Sequence, residues 1–230
     1  MITTGPMLGK VSFCIPLFLS ILPCLGASVT VITHGFQFGN NYPDWIDTMA
    51  SNVALRAGRN TSVYRMEIQW PSIARSPSVQ IFKLESGLPS SAFTTNAEIV
   101  VKVFWHTVAG FTDPANSTDV ASLVVPYLTR AIDLGNGTTV RAFAKLPIHL
   151  IGHSRGGGVV SEIARLLGEQ GVWVDHLTTL DPHPLTDADC VFFGAICPAA
   201  RDTAVVVLNN LNNVIFADNY YQNVAICPSP

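Results

Sequence analysis

A glycine-rich turn between an apolar strand and an amphipathic helix constrains this sequence more than any other feature. Residues 146–151 form an apolar run that is typical of a strand buried on both faces. A helix is predicted over about 157–170, with an inner face of Val159, Val160, Ile163, Leu166 and Leu167. Between the two lies Gly152-His-Ser154-Arg-Gly156, which matches the pattern G-x-S-x-G. The segment therefore predicts a strand, a sharp turn and a helix in direct succession.

The spacing of the two glycines has a steric reason. A serine at the tip of such a turn takes a strained backbone conformation, and side chains two residues away on either side would collide. Glycine at 152 and 156 removes both collisions, and the turn then points the Ser154 hydroxyl outward above the free N–H groups of a helix start. Ser154 is therefore predicted to be a nucleophile. The alternative is a glycine-rich helix start used for close packing or phosphate binding, although neither common phosphate-loop pattern is present.

Strand-like and helix-like segments alternate along the chain, which predicts a mostly parallel sheet with helices on both faces. Predicted strands cover residues 28–34, 62–70, 97–105, 146–151, 172–180, 203–208 and 213–217, and predicted helices cover 45–55, 120–132 and 157–170. The fold class is therefore α/β. Residues 71–96, which surround a small apolar island at Ile81–Leu84, are predicted to be an irregular insertion. Such an insertion is either a lid or binding loop or an ordinary surface loop.

Composition narrows the class of protein and of partner. The 230 residues are 48% hydrophobic with a net charge of −3, which suits one globular domain and excludes a disordered chain. No basic cluster is present, so nucleic acid is not expected as a partner. Residues 1–27 combine Lys10, a short apolar run and small residues, which predicts a cleaved secretory signal peptide. Pro16 and Pro23 interrupt that run, so no stable membrane span is expected after cleavage; a buried strand or an uncleaved anchor is the alternative.

Three cysteines remain after removal of the predicted signal peptide, namely Cys190, Cys197 and Cys227. Their spacing fits no zinc pattern, and no cluster of His, Cys and Asp has the spacing of metal ligands. No metal or other cofactor is therefore predicted. In an oxidising compartment a Cys190–Cys197 disulfide is plausible, which leaves Cys227 unpaired.

Two further motifs make the chain resemble the α/β-hydrolases, specifically the lipases and esterases. Thr33-His-Gly-Phe36 resembles the His-Gly-x oxyanion loop of lipases, and Leu180-Asp-Pro182 resembles the acid motif of lipases related to the pancreatic enzyme. The resemblance extends over about residues 28–218 in the order of elements. It implies an α/β-hydrolase domain over 28–230, built as a three-layer sandwich with a mostly parallel sheet. Without the serine turn, the first motif would be read as an ordinary strand-to-loop turn, and the second as a loop cap.

The resemblance also implies roles for single residues. Ser154 would be the nucleophile, Asp181 the triad acid, and the backbone N–H groups of Phe36 and Arg155 the oxyanion donors. Asp218 is a fallback for the acid. The island at Ile81–Leu84 would then line an apolar acyl pocket.

The general base is the one member of the site that none of the three motifs supplies. A serine hydrolase with this chain order needs a histidine after its acid, and of the six histidines only His183 follows Asp181. His183 lies between two prolines beside the acid, where reaching Ser154 is difficult, so loop architecture is its alternative role. His34 and His153 belong to the motifs, and the other three lie on or after strands. Together with the unpaired Cys227, this leads to the hypothesis that the C-terminal end is truncated, frame-shifted or alternatively spliced.

These motifs favour a secreted serine hydrolase that cleaves a small-molecule or lipid ester through an acyl-enzyme. One alternative is an inactive homologue that lacks its histidine and acts as a binding or interaction protein. Another is acyl transfer to an acceptor other than water. The sequence does not predict an oligomeric state.

Overall fold

The computed structural model describes residues 27–37, 41–58, 60–70, 76–89, 98–109, 115–135, 137–184, 202 and 211–221. The strands within these ranges are β1 (Ser28–Thr33), β2 (Ser62–Gln69), β3 (Ser78–Ser86), β4 (Glu98–Phe104), β5 (Ile132–Asp133), β6 (Thr139–Val140), β7 (Ile148–His153), β8 (Val174–Leu180) and β9 (Val214–Tyr220). The α-helices are α1 (Trp45–Ala57), α2 (Ser117–Thr129) and α3 (Arg155–Glu169), with short 3-10 turns at His106–Val108 and Phe143–Lys145.

Seven strands form one sheet in the order β3-β2-β4-β1-β7-β8-β9. All neighbouring pairs are parallel except β2 and β3, which are antiparallel. The remaining strands, β5 and β6, form a small separate hairpin. The parallel strands all end at the same edge of the sheet, so the segments that follow β1, β7 and β8 are brought together there. The predicted α/β class with a mostly parallel sheet is confirmed.

Helices cover both faces of the sheet, which makes the three layers. On one face, strand residues such as Val31, Val101 and Leu150 pack against α2 and α3 in the larger apolar cluster. On the other face, Ile32 and its neighbours pack against Ile46 of α1 in a smaller cluster. Consecutive residues of one strand point to opposite faces, so both must be apolar where both faces are covered. This explains why β1 buries apolar side chains on both faces, with Val29 and Val31 on one and Ile32 on the other.

Helix α2 is displaced from its predicted range. It begins after Asn116, whose side chain accepts the N–H of Asp119, while the Asp119 carboxylate accepts the N–H of Asn116. This capping box fixes the helix start at Ser117, before the predicted start at 120. The helix ends at Thr129 because Ile132 pairs with Val140 in the hairpin of β5 and β6.

The prediction of an irregular insertion over 71–96, either a lid or a surface loop, is wrong for the part that the structure describes. Ser78–Ser86 is the edge strand β3, and Phe82 stacks on Tyr64 of β2 with ring centroids 5.5 Å apart. Strand β3 lies four strand positions from β7, or about 19 Å at the usual spacing. The island at Ile81–Leu84 therefore belongs to the sheet and its core, and it does not line a pocket at Ser154.

Several predictions concern residues outside the described ranges. These are residues 1–26 of the predicted signal peptide, all five cysteines with the Cys190–Cys197 disulfide, and the predicted strand over 203–208. Among the helices that the structure describes, none is long and apolar enough to cross a membrane.

Candidate functional site

Ser154 lies at the tip of the predicted turn, directly between β7 and α3, with φ 53° and ψ −124°. This is a left-handed backbone conformation that non-glycine residues rarely adopt. A Cβ on Gly152 would lie 2.2 Å from the carbonyl oxygen of Gly156, and a Cβ on Gly156 would lie 2.4 Å from that of His34. The predicted backbone geometry, a strained serine between two positions that only glycine can occupy, is confirmed. The nucleophilic role of Ser154 stays a prediction.

The loop after β1 contacts this turn directly. A Cβ on Gly35 would lie 2.7 Å from the backbone nitrogen of Arg155 and 2.7 Å from the Ser154 Cβ, so only glycine fits there. The Arg155 N–H lies in the first turn of α3, where backbone donors have no partner within the helix. The Phe36 N–H follows Gly35 immediately. The two predicted oxyanion donors thus come from backbone segments in contact with each other, beside Ser154.

Asp181 is brought to the neighbouring position on the same sheet edge. Its φ of 46° makes it, with Ser154, one of two non-glycine residues with positive φ in the described part of the chain. The Ser154 N–H donates to the Leu180 carbonyl at 2.8 Å, which ties the turn to the end of β8. A Cβ on Gly157 would lie 2.8 Å from Pro182, so the loop after β8 packs on the start of α3.

All six histidines lie in the described ranges, and His34 is a structural residue. It is fully buried, its Nδ1 donates to the Gly35 carbonyl at 2.7 Å, and its Nε2 accepts the backbone N–H of Trp105 at 2.9 Å. Its ring also stacks on Trp105, with centroids 5.4 Å apart. Burial lowers the pKa of His34 to about 3, so the ring is neutral and holds the Gly35–Phe36 loop in place.

His149 and His176 lie within the sheet, away from the turn. Their rings stack with centroids 4.0 Å apart, His149 Nε2 is 2.8 Å from the Thr178 hydroxyl, and His176 Nε2 is 3.2 Å from the Asp218 carboxylate. In the register of β7 and β8, His149 lies opposite His176 and His153 lies opposite Leu180. The two histidines are therefore four residues, or about 13 Å along the strands, away from the end of β7 at the turn. Asp218, the fallback acid, therefore pairs with a histidine that is far from Ser154, and the assignment to Asp218 is wrong.

Three histidines remain to be placed. His106 follows β4, two strand positions from β7, and its ring meets that of Tyr42 edge-on at 5.6 Å. His153 belongs to the turn itself, and its ring meets Trp45 edge-on at 5.5 Å. Desolvation lowers the pKa of His153, while the nearby Asp181 carboxylate opposes this. His183 is exposed, two residues beyond Asp181, and it stays the candidate general base by prediction.

The buried neutral histidines predict a loss of stability in acid. Because burial lowers the pKa of His34 to about 3, the unfolded chain binds a proton that the folded chain does not once the pH falls below about 6.5. The free energy of unfolding should fall by about 1.4 kcal/mol per pH unit from His34 alone, down to about pH 4. Burial also lowers the pKa of half-buried His149, to about 4, and adds a smaller loss.

Urea unfolding at several pH values between about 8 and 4 measures how the free energy of unfolding depends on pH in the range where these histidines titrate in the unfolded chain. His34→Gln should flatten it, whereas His183→Gln, at an exposed position, should keep it. An unchanged slope in His34→Gln would contradict a buried neutral His34.

The side chain of Arg155 was missed by the sequence reasoning, which considered only its backbone. It is 1% exposed and makes a two-point ion pair with Asp202, with Nε–Oδ2 at 2.6 Å and Nη2–Oδ1 at 3.0 Å. The guanidinium also donates to the carbonyls of Ala109 at 3.2 Å and Ala115 at 2.8 Å. Its Cζ lies 5.1 Å from the centre of the Trp105 ring.

This ion pair connects three segments around the turn. Asp202 also accepts the N–H of Ser117 at 2.8 Å, so one carboxylate joins the start of α2 to the start of α3. The only feature of the sequence that pointed to a buried Arg155 side chain was its position before three glycines at the start of an apolar helix. Its partner lies 47 residues away in a stretch without a motif, so spacing could not identify it.

In the part of the chain that the structure describes, no group of three or more His, Cys, Asp or Glu side chains is placed to hold a metal ion.

The chain matches no protein family and no curated protein in sequence. Among solved structures it is similar to a Listeria innocua gene product, with 14% identity and a TM-score of 0.39 over 69% of this chain and 52% of the other. It is also similar to a proposed cell surface hydrolase from Lactobacillus plantarum WCFS1, with 15% identity and a TM-score of 0.38 over 68% of this chain and 53% of the other. The chain spans about half the length of each of these structures.

Proposed function

We propose that this protein is a secreted serine hydrolase of the lipase and esterase type, which cleaves small-molecule or lipid esters through an acyl-enzyme. The observation that carries the proposal is the pair of strained residues, Ser154 and Asp181, at the carboxyl ends of adjacent parallel strands. Each such conformation costs about 1–3 kcal/mol and persists only where the surrounding structure imposes it. Here the strain presents a hydroxyl and a carboxylate at the same edge.

The arrangement suits acyl transfer. The Ser154 Oγ would bond to the ester carbonyl carbon, and the carbonyl oxygen would become an oxyanion held by the N–H groups of Phe36 and Arg155. Each donor of this kind is worth about 2.7–4 kcal/mol in the transition state. The carbon–oxygen bond to the alcohol would then break, with the serine proton passing through the general base to the leaving oxygen. Water would attack the acyl-enzyme by the same route and release the acid.

His183 is the general base in this proposal, with Asp181 as its orienting acid. Of the other five histidines, His34 is buried in the core, and His149 and His176 lie within the sheet. His106 follows β4, two strand positions from β7, and His153 belongs to the turn itself. A second candidate function, in which the protein binds an ester or its product without turning it over, rests on the position of His183 between two prolines beside Asp181, where reaching Ser154 is difficult.

Labelling with a fluorophosphonate tests the proposal, because this reagent reacts with an activated serine and needs no knowledge of the substrate. We expect one phosphonyl group per chain, located on Ser154 by peptide mass spectrometry. His183→Ala should label more slowly and hydrolyse p-nitrophenyl butyrate about 10²–10⁴-fold more slowly, the usual contribution of a general base.

The controls separate the two candidate functions. Exposed Ser51→Ala should label like the wild type, since its hydroxyl only bonds to the Asp47 carbonyl. If the protein folds cooperatively but is not labelled, Ser154 is not an activated nucleophile. Labelling without turnover would favour the binding function.

A further inference from the structure

Trp105 directly follows β4, the neighbour of β1 in the sheet, and it is the largest fully buried side chain in the described part of the chain. None of the three sequence motifs includes it. It nevertheless contacts both backbone segments that supply the predicted oxyanion donors. Its backbone and its indole bond to residues at the end of β1, and its ring faces the Arg155 guanidinium.

The backbone N–H of Trp105 determines which nitrogen of His34 carries the proton. This N–H donates to His34 Nε2 at 2.9 Å, and a ring nitrogen that accepts a hydrogen bond carries no proton. The proton of the neutral ring is therefore on Nδ1, which donates to the Gly35 carbonyl at 2.7 Å. The Gly35 carbonyl and the Phe36 N–H belong to one planar trans peptide group and point in opposite directions. The bond to the carbonyl thus fixes the direction of the Phe36 N–H.

The indole of Trp105 holds the preceding peptide group of the same loop. Its Nε1–H lies 3.0 Å from the His34 carbonyl oxygen and 3.1 Å from Thr33 Oγ1, so it donates to both. The His34 carbonyl also borders Gly156, where a Cβ would lie 2.4 Å away. This carbonyl is therefore held by the indole and in contact with the first turn of α3, which fixes the loop against the helix start.

The face of the indole ring contacts the segment of the second donor. The Arg155 Cζ lies 5.1 Å from the ring centre, within the distance of a cation–π contact, and the Arg155 side chain is 1% exposed. Such contacts are stronger where water is excluded. Because Arg155 is the first residue of α3, this contact also holds its backbone N–H in place relative to the loop after β1.

We propose that Trp105 is a positioning residue of the oxyanion site, which fixes the N–H groups of Phe36 and Arg155 relative to each other. The inference rests on the proposed function. Donors of this kind are effective because they are already oriented when the negative charge develops, so a displacement of about 1 Å in one of them slows the reaction. Trp105 is fully buried, so it acts through the loop and the helix and not on the ester itself.

Trp105→Phe keeps an aromatic ring and the backbone N–H but removes the indole N–H. It should lower kcat for p-nitrophenyl butyrate by about 10–100-fold and leave KM within about twofold, because displaced donors stabilise the transition state less. Leu128→Ala destabilises the buried core at the far end of α2 and should keep kcat within about twofold. Trp173→Phe makes the same substitution at an exposed position and should also keep kcat. Rates are compared at a temperature at which thermal unfolding shows each variant to be folded.

The corresponding thionoester, p-nitrophenyl thionobutyrate, tests the oxyanion donors directly. Its sulfur accepts hydrogen bonds poorly, so an intact oxyanion site favours the ester and a disturbed site discriminates less. The ratio of kcat/KM for the ester to that for the thionoester should fall by about tenfold in Trp105→Phe and stay unchanged in Leu128→Ala and Trp173→Phe. A purely structural role of Trp105 would lower stability without changing this ratio.

Nuclear magnetic resonance tests the positioning without turnover. Nitrogen spectra of the wild type should show the His34 proton on Nδ1, and a proton on Nε2 would overturn the inference. Trp105→Phe should shift the amide signals of both Phe36 and Arg155, whereas Trp173→Phe should shift neither. If Trp105→Phe does not fold, the wild-type spectrum of His34 still tests the connection from Trp105 to the Gly35 carbonyl.

The outcomes distinguish this inference from the proposed function. If the wild type hydrolyses no ester but Trp105→Phe shifts the Phe36 and Arg155 signals, the positioning role is supported and the hydrolase is contradicted. If the wild type hydrolyses esters and Trp105→Phe leaves the ester-to-thionoester ratio unchanged, the positioning role is overturned and the hydrolase stands.

Discussion

Ser154→Ala should lower kcat/KM for p-nitrophenyl butyrate by at least about a thousandfold. Without the Oγ no acyl-enzyme can form, and only the oxyanion donors and substrate binding remain to assist attack by water. The thermal midpoint should hardly change, because alanine and serine both carry a Cβ and meet the same strain at φ 53°. Initial rates under pseudo-first-order conditions, together with the thermal midpoint, measure both effects.

Ser161→Ala is a matched control for this substitution. Ser161 lies in the same helix, and its buried hydroxyl donates to the Gly157 carbonyl at 2.8 Å. Its loss should leave kcat/KM within about threefold, since it removes one local hydrogen bond within a helix. A Ser154→Ala protein with wild-type kcat/KM would show that Ser154 is not the nucleophile.

Asp202→Ala should lower the free energy of unfolding by about 3–5 kcal/mol, which is the usual cost of leaving one member of a buried ion pair without its partner. Both side chains are 1% exposed, so water cannot solvate the Arg155 guanidinium once the carboxylate is gone. The Ser117 N–H also loses its acceptor. Urea unfolding with a comparison of m-values measures the effect and detects any departure from two-state behaviour.

Two variants test whether burial is the cause. In the double variant Arg155→Met with Asp202→Leu, both charges are replaced by apolar groups, and most of the lost stability should return. Glu169→Ala removes an exposed partner from the Arg165–Glu169 pair of the same helix, and it should cost at most about 1 kcal/mol. A loss below about 1 kcal/mol in Asp202→Ala would contradict the desolvated pair.

The ion pair also matters for the candidate site, because Arg155 has two separate roles. Its backbone N–H is a predicted oxyanion donor, while its side chain anchors the start of α3 to Asp202 and to the Ala115 carbonyl. The sequence reasoning predicted the first role from a motif and missed the second, since no local pattern links residues 47 positions apart.

Predictions based on local sterics agreed best with the structure. The turn around Ser154 was predicted from its two glycines alone. A Cβ on Gly152 would collide within the turn, whereas a Cβ on Gly156 would collide with the carbonyl of His34, which the sequence did not place there. Strands β1, β4 and β8 were also predicted correctly, because a short run of β-branched and apolar residues is a local feature of the sequence. Asn116 shows the limit of such reasoning, because capping depends on which of several neighbouring polar side chains reaches a free N–H.

Predictions that depended on partners distant in sequence fared less well. The segment Ser78–Ser86 contains only a short apolar island between stretches rich in Ser, Pro and Gly, and it becomes an edge strand because β2 offers it a ladder of hydrogen bonds. Asp218 was a reasonable fallback acid in sequence, but the sheet register pairs it with Thr178 inside the sheet, and its carboxylate contacts His176 and not a residue of the turn.

The sequence by itself determined the α/β class, the position of the serine turn and the motif residues around it. These follow from hydrophobic periodicity and from the spacing of the G-x-S-x-G pattern, which are properties of the sequence itself. Only the tertiary structure decided that His34 is locked and neutral, that Arg155 pairs with Asp202, and that Gly156 borders the His34 carbonyl. Each of these depends on desolvation and on contacts across the sheet, which arise only when distant segments pack together.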